Sequence, residues 1–401
     1  MKYVVFLCDG MADDPVDALG GKTPMEVANK PLMDELCSKG ELLSIKTVPD
    51  GFEVGSDVAN QGILGYDVTK SYHGRSPLEV VSAGIELTDQ NVTYRANLVT
   101  LSYDDENQKF EDKKMEDYSA GDVTTEDATE LIAALNAELE CDEYKFYPGF
   151  MYRQFLIFNN PDAPNPKFNP PHDISGEVVG KYLPNDELLT YLTKRSYEIL
   201  HNHPVNLRRI AEGEKPANSI WLWGRGTKSN LANFEEKYGV KGSVISAVDL
   251  VRGIAMLSGM ENVIVPGATG YIDTNWSGKA QACINELKRG QEFVYIHMEA
   301  PDECGHKFEV ENKVESIEAI DEQVIKPIYE YLKNCGEDYR ILIMPDHKTP
   351  LKVGTHTSGD VPLVIYDSRV DKNTNKVYNE ANATEKFKGE VHELMEYFIK
   401  G

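Results

Sequence analysis

No window of this 401-residue chain approaches the roughly 18 uninterrupted apolar residues that a membrane span requires. Cysteine is sparse and scattered. The 6 residues include no CxxC pair, so neither a zinc ribbon nor a dithiol redox motif is offered, and free thiols fit a reducing compartment. Positive charge is also in short supply: 41 Lys and Arg against 66 Asp and Glu leave a formal charge of −25. That balance argues against nucleic acid and anionic membrane surfaces as partners, because both are bound through positive patches. An anionic substrate would have to be met by cations held locally. The opening "MKYVVFLCDGMADD" has too short an apolar run for a signal-peptide core and reads as a first core strand, so a cytoplasmic protein is expected. Solenoid-period repeats are absent. "GGKT" at 20–23 resembles the end of a P-loop, but Val16 stands where that motif requires Gly, and no GxGxxG spacing marks a nucleotide cradle.

What is present is an ordinary globular composition, 41% hydrophobic and 27% charged, in a chain long enough for two domains or one domain with a large insertion. "KYVVFLCDG" is an apolar run closed by Asp-Gly and followed by the helical "TPMEVANKPLMDELCSKG". The same grammar returns late, where "EFVYIHMEAPDE" and "YRILIMPDH" flank a helix with apolar residues at 310, 314, 317, 324 and 328. Near-continuous apolar runs alternating with amphipathic helices predict an α/β fold, a mostly parallel sheet flanked by helices. Between residues 75 and 187 the pattern changes to strand-like runs, acidic segments, one capped helix and the Pro-rich "NNPDAPNPKFNPPHDISG". The expected organisation is a core from 1–74 and 188–401 with an inserted α+β domain over 75–187.

Functional groups of open α/β sheets gather beyond the C-terminal ends of strands. Those places hold Asp9, Ser56, Asp302, His306, Asp346, His347 and His356. Singly, each has an ordinary reading: Asp9-Gly10 as a strand-ending turn, Ser56-Asp57 as a helix cap, Asp302 and His306 as a surface pair four apart. Their recurrence after successive strands argues for a metal centre, and mixed Asp and His donors suit Zn²⁺ or Mn²⁺ better than Mg²⁺ or Ca²⁺. His201, His203, His297 and His392 read as structural.

The stretches "CDGMAD", "GSDVANQGILGYD", "GRSPLEVVSAGIEL", "YRANLVTL", "PHDISG", "HPVNLRRIAEGEKPAN", "PDECGH" and "PDHKTP…THTSGDVPLVIY" occur in order over nearly the whole chain. Together they resemble the metal-dependent alkaline phosphatase superfamily and, within it, the cofactor-independent phosphoglycerate mutases of the archaeal type. The resemblance implies two divalent ions, Mn²⁺ or Zn²⁺ with Mg²⁺ or Co²⁺ as other candidates. One would be held by Asp9, Ser56, Asp346 and His347, the other by Asp302, His306 and His356. It also implies that Ser56 is the nucleophile that is transiently phosphorylated, and that the partner is a small phosphorylated metabolite. A serine hydroxyl becomes a useful nucleophile at neutral pH when a divalent ion lowers its pKa.

Mutase turnover further requires that the dephosphorylated intermediate be retained, a task for planar guanidinium groups that grip carboxylate and phosphate. The candidates are Arg75, Arg95, Arg153, Arg225 and Arg252, with His172 and Asp173 in the Pro-rich loop, and the resemblance implies that the 75–187 insertion is a substrate-binding lid carrying part of this cradle. The chain departs from the commonest archaeal pattern at Asn60, where His is usual, at the "EAP" preceding its ligand motif, and at Gln154 after Arg153. These departures resemble a bacterial branch proposed to act as homoserine kinase, so phosphotransfer to another small acceptor, or plain phosphatase action, stands as the alternative. Oligomeric state is left open by the sequence.

Overall fold

The computed structural model describes residues 1–103 and 108–401, which form two units: Met1–Tyr72 together with Asn230–Gly401, and His73–Ser229. The first unit is built on a 7-stranded sheet in the order Glu41–Lys46, Asp360–Asp367, Tyr339–Met344, Lys2–Cys8, Phe293–Met298, Gly242–Ile245, Glu261–Val263. Asp360–Asp367 runs antiparallel to both of its neighbours, and the other pairings are parallel. Lys2–Cys8 is buried along its whole length, as a central strand covered on both faces must be. Val4 lies opposite both Val294 and Ile341, so the three strands that carry most of the candidate ligands are adjacent and in register.

Helices Pro31–Lys39, Trp276–Arg289, Val310–Ala319 and Lys326–Asn334 bury Met33, Leu36, Leu287, Ile317 and Ile328 against Val4, Phe6, Ile296 and Ile343 of the sheet. A π-helical turn at Ile320–Ile325 joins two of them. Its buried Asp321 accepts hydrogen bonds from the Leu32 and Met33 amides at 3.1 and 2.7 Å, satisfying the N-terminus of a helix whose own N-cap residue, Lys30, makes no side-chain cap.

The second unit is an antiparallel sheet centred on Val92–Leu101, which pairs with Arg153–Phe158, Ser219–Thr227 and Met115–Asp117. Helices Thr125–Leu139 and Glu187–Leu200 close its core through Leu131, Leu135, Leu189 and Leu192. The expected return to the core at residue 188 is corrected here: the second unit runs on to Ser229. A helix followed by the strand "SIWLWGRGT" has α/β grammar, but the strand finds its partner in Val92–Leu101, antiparallel, with Trp223 opposite Arg95. Among the described residues no helix is long and apolar enough to cross a membrane.

Candidate metal centre

Asp9 follows the strand Lys2–Cys8 directly, and Asp346 and His347 lie just past Tyr339–Met344. Asp302 and His306 sit on the short helix Ala300–His306, which starts two residues after Phe293–Met298. Ser56 is the first residue of the helix Ser56–Ile63; Gly55 is the N-cap, so the hydroxyl is not used as a cap and is left for other work. Asn60, one turn on, donates to the Ser56 carbonyl at 2.8 Å and to Asp346 Oδ2 at 3.0 Å, and accepts from Tyr295 at 2.6 Å. The helix that presents Ser56 is thereby tied to the carboxylate it faces.

The seven side chains converge. Ser56 Oγ stands 3.1 Å from His347 Nε2 and 3.3 Å from Asp9 Oδ2, and His347 Nε2 lies 3.5 Å from Asp9 and 3.6 Å from Asp346. At the other end Asp302 Oδ2 meets His306 Nε2 at 3.1 Å and Asp302 Oδ1 meets His356 Nε2 at 3.4 Å, while the two Nε2 atoms are 3.0 Å apart. The remaining ring nitrogens decide what these contacts mean. His306 Nδ1 faces the Gly354 carbonyl and His356 Nδ1 the Val54 carbonyl, each at 3.0 Å. A carbonyl can only accept, so both Nδ1 atoms carry hydrogen and both Nε2 lone pairs point at each other and at a carboxylate. Mutually facing lone pairs repel one another, and a cation held between them relieves the repulsion. Ligand atoms about 2.0–2.2 Å from one ion stand about 3–3.5 Å from one another, which is the spacing found.

A proton relieves the same repulsion, and the titration behaviour follows. Burial works against the charged imidazolium of His306, but the Asp302 hydrogen bond overrides it and carries the group up to about 9; His356 is raised by the same carboxylate against the same penalty. Burial likewise opposes ionisation of Asp302, and hydrogen bonds from His306 and His356 outweigh it, holding the carboxyl well below its usual range. Asp9 goes the other way, pushed well above by burial and by neighbouring Asp346.

Thr349 links the two ends. Its hydroxyl donates to Asp302 Oδ1 and lies 3.3 Å from His347 Nδ1, so it can accept that N–H and leave Nε2 free to face Ser56. Buried Lys313 holds the Thr349 carbonyl at 2.8 Å and Asp13 at 2.7 Å, and Asp13 in turn accepts from the Leu351 amide at 3.2 Å. Gly10, at φ +59°, lets the chain pass beneath this cluster: a Cβ there would stand 2.5 Å from Asp302 Oδ1 and 2.6 Å from Thr349 Oγ1.

Within the second unit, Arg95 is buried, ion-paired with Glu79 at 2.9 Å and stacked 4.2 Å over Trp223, with Arg75 3.7 Å from the other Glu79 oxygen. Burial draws the Arg95 pKa down to about 10, offset by Glu79, and Arg75 and Arg153 add to the depression as like charges nearby. His172 packs edge-on against Trp223 at 5.4 Å; burial lowers its pKa, Asp173 opposes this, and Arg95 and Arg75 lower it further. Three guanidiniums, those of Arg75, Arg95 and Arg153, are thus close enough to act on one another. Arg225 points its Nη2 at the Ala163 carbonyl, 3.3 Å away, and Asp173 stays exposed, 3.6 Å from His172. Arg252 lies in the first unit, paired with Asp249 at 3.0 Å. Gln154 is fully buried and serves its own hairpin, accepting from the Gly149 amide at 2.9 Å and donating to the Met151 carbonyl.

Sequence reasoning missed His297, Thr349 and the Asn60–Tyr295 pair. His297 reads as a strand residue, yet it is fully buried with Nε2 3.0 Å from Asp9 Oδ2, and burial takes its pKa down to about 4. Among the described residues two groups of donors that could hold an ion emerge from the geometry, Asp9 with His297 and Asp346, and Asp302 with His347 and His356. His347, expected with Asp9, stands between them.

A family model described as 2,3-bisphosphoglycerate-independent phosphoglycerate mutase matches residues 37–206. The 2,3-bisphosphoglycerate-independent phosphoglycerate mutase of Methanosarcina barkeri is 43% identical over 387 residues, 96% of this chain and 95% of the relative. A solved protein of Pyrococcus horikoshii superposes with a TM-score of 0.81 at 28% identity, over 100% of this chain and 96% of that one. The cofactor-independent phosphoglycerate mutase of Thermoplasma acidophilum shares the fold, with a TM-score of 0.63 at 23% identity over 100% of this chain and 99% of that one. With a relative this similar over almost its full length, the chain belongs to the 2,3-bisphosphoglycerate-independent phosphoglycerate mutases, an enzyme family.

Proposed function

We propose that this protein interconverts 3-phosphoglycerate and 2-phosphoglycerate without bisphosphoglycerate, by way of a phosphorylated Ser56. The observation that carries the reading is the convergence of Nε2 lone pairs and carboxylate oxygens beside a hydroxyl that caps nothing. Asp9, Asp346 and His347 on one side and Asp302, His306 and His356 on the other would hold two divalent ions. Such ions lower the pKa of a nearby hydroxyl and neutralise phosphoryl oxygens. Ser56 Oγ gives up its proton and forms a bond to phosphorus as the ester bond to the glycerate C3 oxygen breaks, and that oxygen takes up a proton, so none is gained or lost overall. Arg75, Arg95 and Arg153 carry the planar guanidiniums suited to a carboxylate such as that of glycerate, whose retention separates a mutase from a phosphatase. Return of the phosphoryl group to the C2 oxygen restores Ser56 and completes the isomerisation.

The departures noted above acquire local explanations. Gln154 is consumed by its hairpin, and Asn60 braces the Ser56 helix. The deciding experiment supplies 3-phosphoglycerate and Mn²⁺ without bisphosphoglycerate and follows phosphorus by NMR. Formation of 2-phosphoglycerate, lost in Ser56→Ala along with label transfer to residue 56, is the expected result. Release of inorganic phosphate alone would make the protein a phosphatase, and ATP-dependent formation of O-phosphohomoserine would make it a kinase.

A further inference from the structure

His297 has no place in the ligand set expected from the sequence, yet its surroundings are those of a donor. Leu7 is paired with both His297 and Met344 across adjacent parallel strands. Side chains alternate along a strand, so Asp9, two past Leu7, and Asp346, two past Met344, share a face with His297. All three are buried, and one donor atom from each lies within 4.8 Å of the others. His297 Nδ1 faces Ser246 Oγ at 3.4 Å, a hydroxyl itself fixed by the Val248 amide at 2.9 Å. The other nitrogen, Nε2, is 3.0 Å from Asp9 Oδ2 but makes no hydrogen bond to any described residue. A buried ring nitrogen without a hydrogen-bond partner, aimed at two carboxylates, loses its solvation uncompensated unless something ligates it.

We propose that His297 is a protein ligand of the ion held between Asp9 and Asp346. That position then has two carboxylates and an imidazole beside Ser56, while His347 stands between the two donor sets. The inference rests on the reading of this cluster as a metal centre. A nitrogen donor at this end shifts its preference toward Zn²⁺, Co²⁺ and Mn²⁺ and away from Mg²⁺.

The test strips the full-length protein with a chelator, loads it with Co²⁺, and counts the solvent-exchangeable, paramagnetically shifted N–H resonances of cobalt-bound imidazoles. His297, His306, His347 and His356 each direct Nδ1 to an oxygen partner, so each should contribute one such resonance. Expected are four in the wild-type protein and three in His297→Gln, with one of the two cobalt affinities weakened at least about tenfold by chelator competition. Ser246→Ala should retain four, one of them exchanging faster with solvent. Uptake of two ions with only three shifted resonances in the wild type overturns this inference alone, as do unchanged resonances and affinities in His297→Gln. If that variant does not fold, the wild-type count together with Ser246→Ala decides in the same way. A wild-type protein that takes up no cobalt overturns the metal reading and this inference with it.

Discussion

Replacing Thr349 with Val keeps the shape of a fully buried side chain and removes one hydroxyl. That hydroxyl donates to Asp302 and is placed to accept from His347 Nδ1, so a single methyl-for-hydroxyl exchange touches two of the donors. A hydrogen bond to a charged acceptor is worth about 1.5–3 kcal/mol, and outer-shell partners of metal ligands change affinity by about 10–100-fold. The two figures agree, because about 1.4 kcal/mol is a factor of ten. The backbone at 349 should not move, since Lys313 holds its carbonyl at 2.8 Å whichever side chain is present. Thr349→Val should therefore fold and bind Mn²⁺ or Zn²⁺ about 10–100-fold more weakly in competition with a chelator, while Thr349→Ser restores most of the loss. A Thr349→Val protein with lowered urea stability but wild-type metal affinity at both sites would refute the reasoning and leave Thr349 a packing residue.

Metal binding should release protons: with His306 held up to about 9 and His356 also raised, affinity should tighten about tenfold per pH unit below 9 for each proton displaced, checked by calorimetry in buffers of different ionisation enthalpy. The sign runs the same way for stability. A histidine raised above its unfolded value of about 6.5 stabilises the metal-free protein below that pH, and the contribution is lost as pH rises through about 9, so the gap between loaded and stripped melting temperatures should widen over that interval. Gly10→Ala puts a Cβ 2.5 Å from Asp302 Oδ1 at a positive φ, and it should cost about 1–3 kcal/mol in chemical denaturation and abolish tight metal binding. Asp367, held low by Arg369 against the penalty of burial and further by Arg340 directly opposite on the next strand, should contribute about 1 kcal/mol after solvent screening. A depressed carboxyl gives its stability above the unfolded pKa and loses it as pH falls, so Asp367→Asn should be destabilised at pH 7 and match the wild type in acid.

The parts of this architecture that a sequence displays are those in which local chemistry and tertiary role coincide. Asp9, Asp302 and Asp346 are legible because a carboxylate at the end of an apolar strand has no local reason to be there, and the same oddity recurs after three strands that turn out to be neighbours. The limit of the second unit is not legible, because "SIWLWGRGT" carries the same apolar signature whether its partner is parallel or antiparallel; only pairing with Val92–Leu101 decides. Gln154 illustrates the reverse error. It stands out in the sequence as a departure from the family pattern after Arg153, but its side-chain amide satisfies two backbone groups of its own turn. His297 was obscured by its setting in "FVYIHM", where an apolar run argues for core. A buried imidazole nonetheless keeps two nitrogens to satisfy, and when one has Ser246 and the other faces Asp9 with no hydrogen bond, the core position and the ligand position are the same position. The general signal is therefore a titratable residue inside the strand that immediately precedes a ligand motif, one pleat below the carboxylates at the sheet's C-terminal edge.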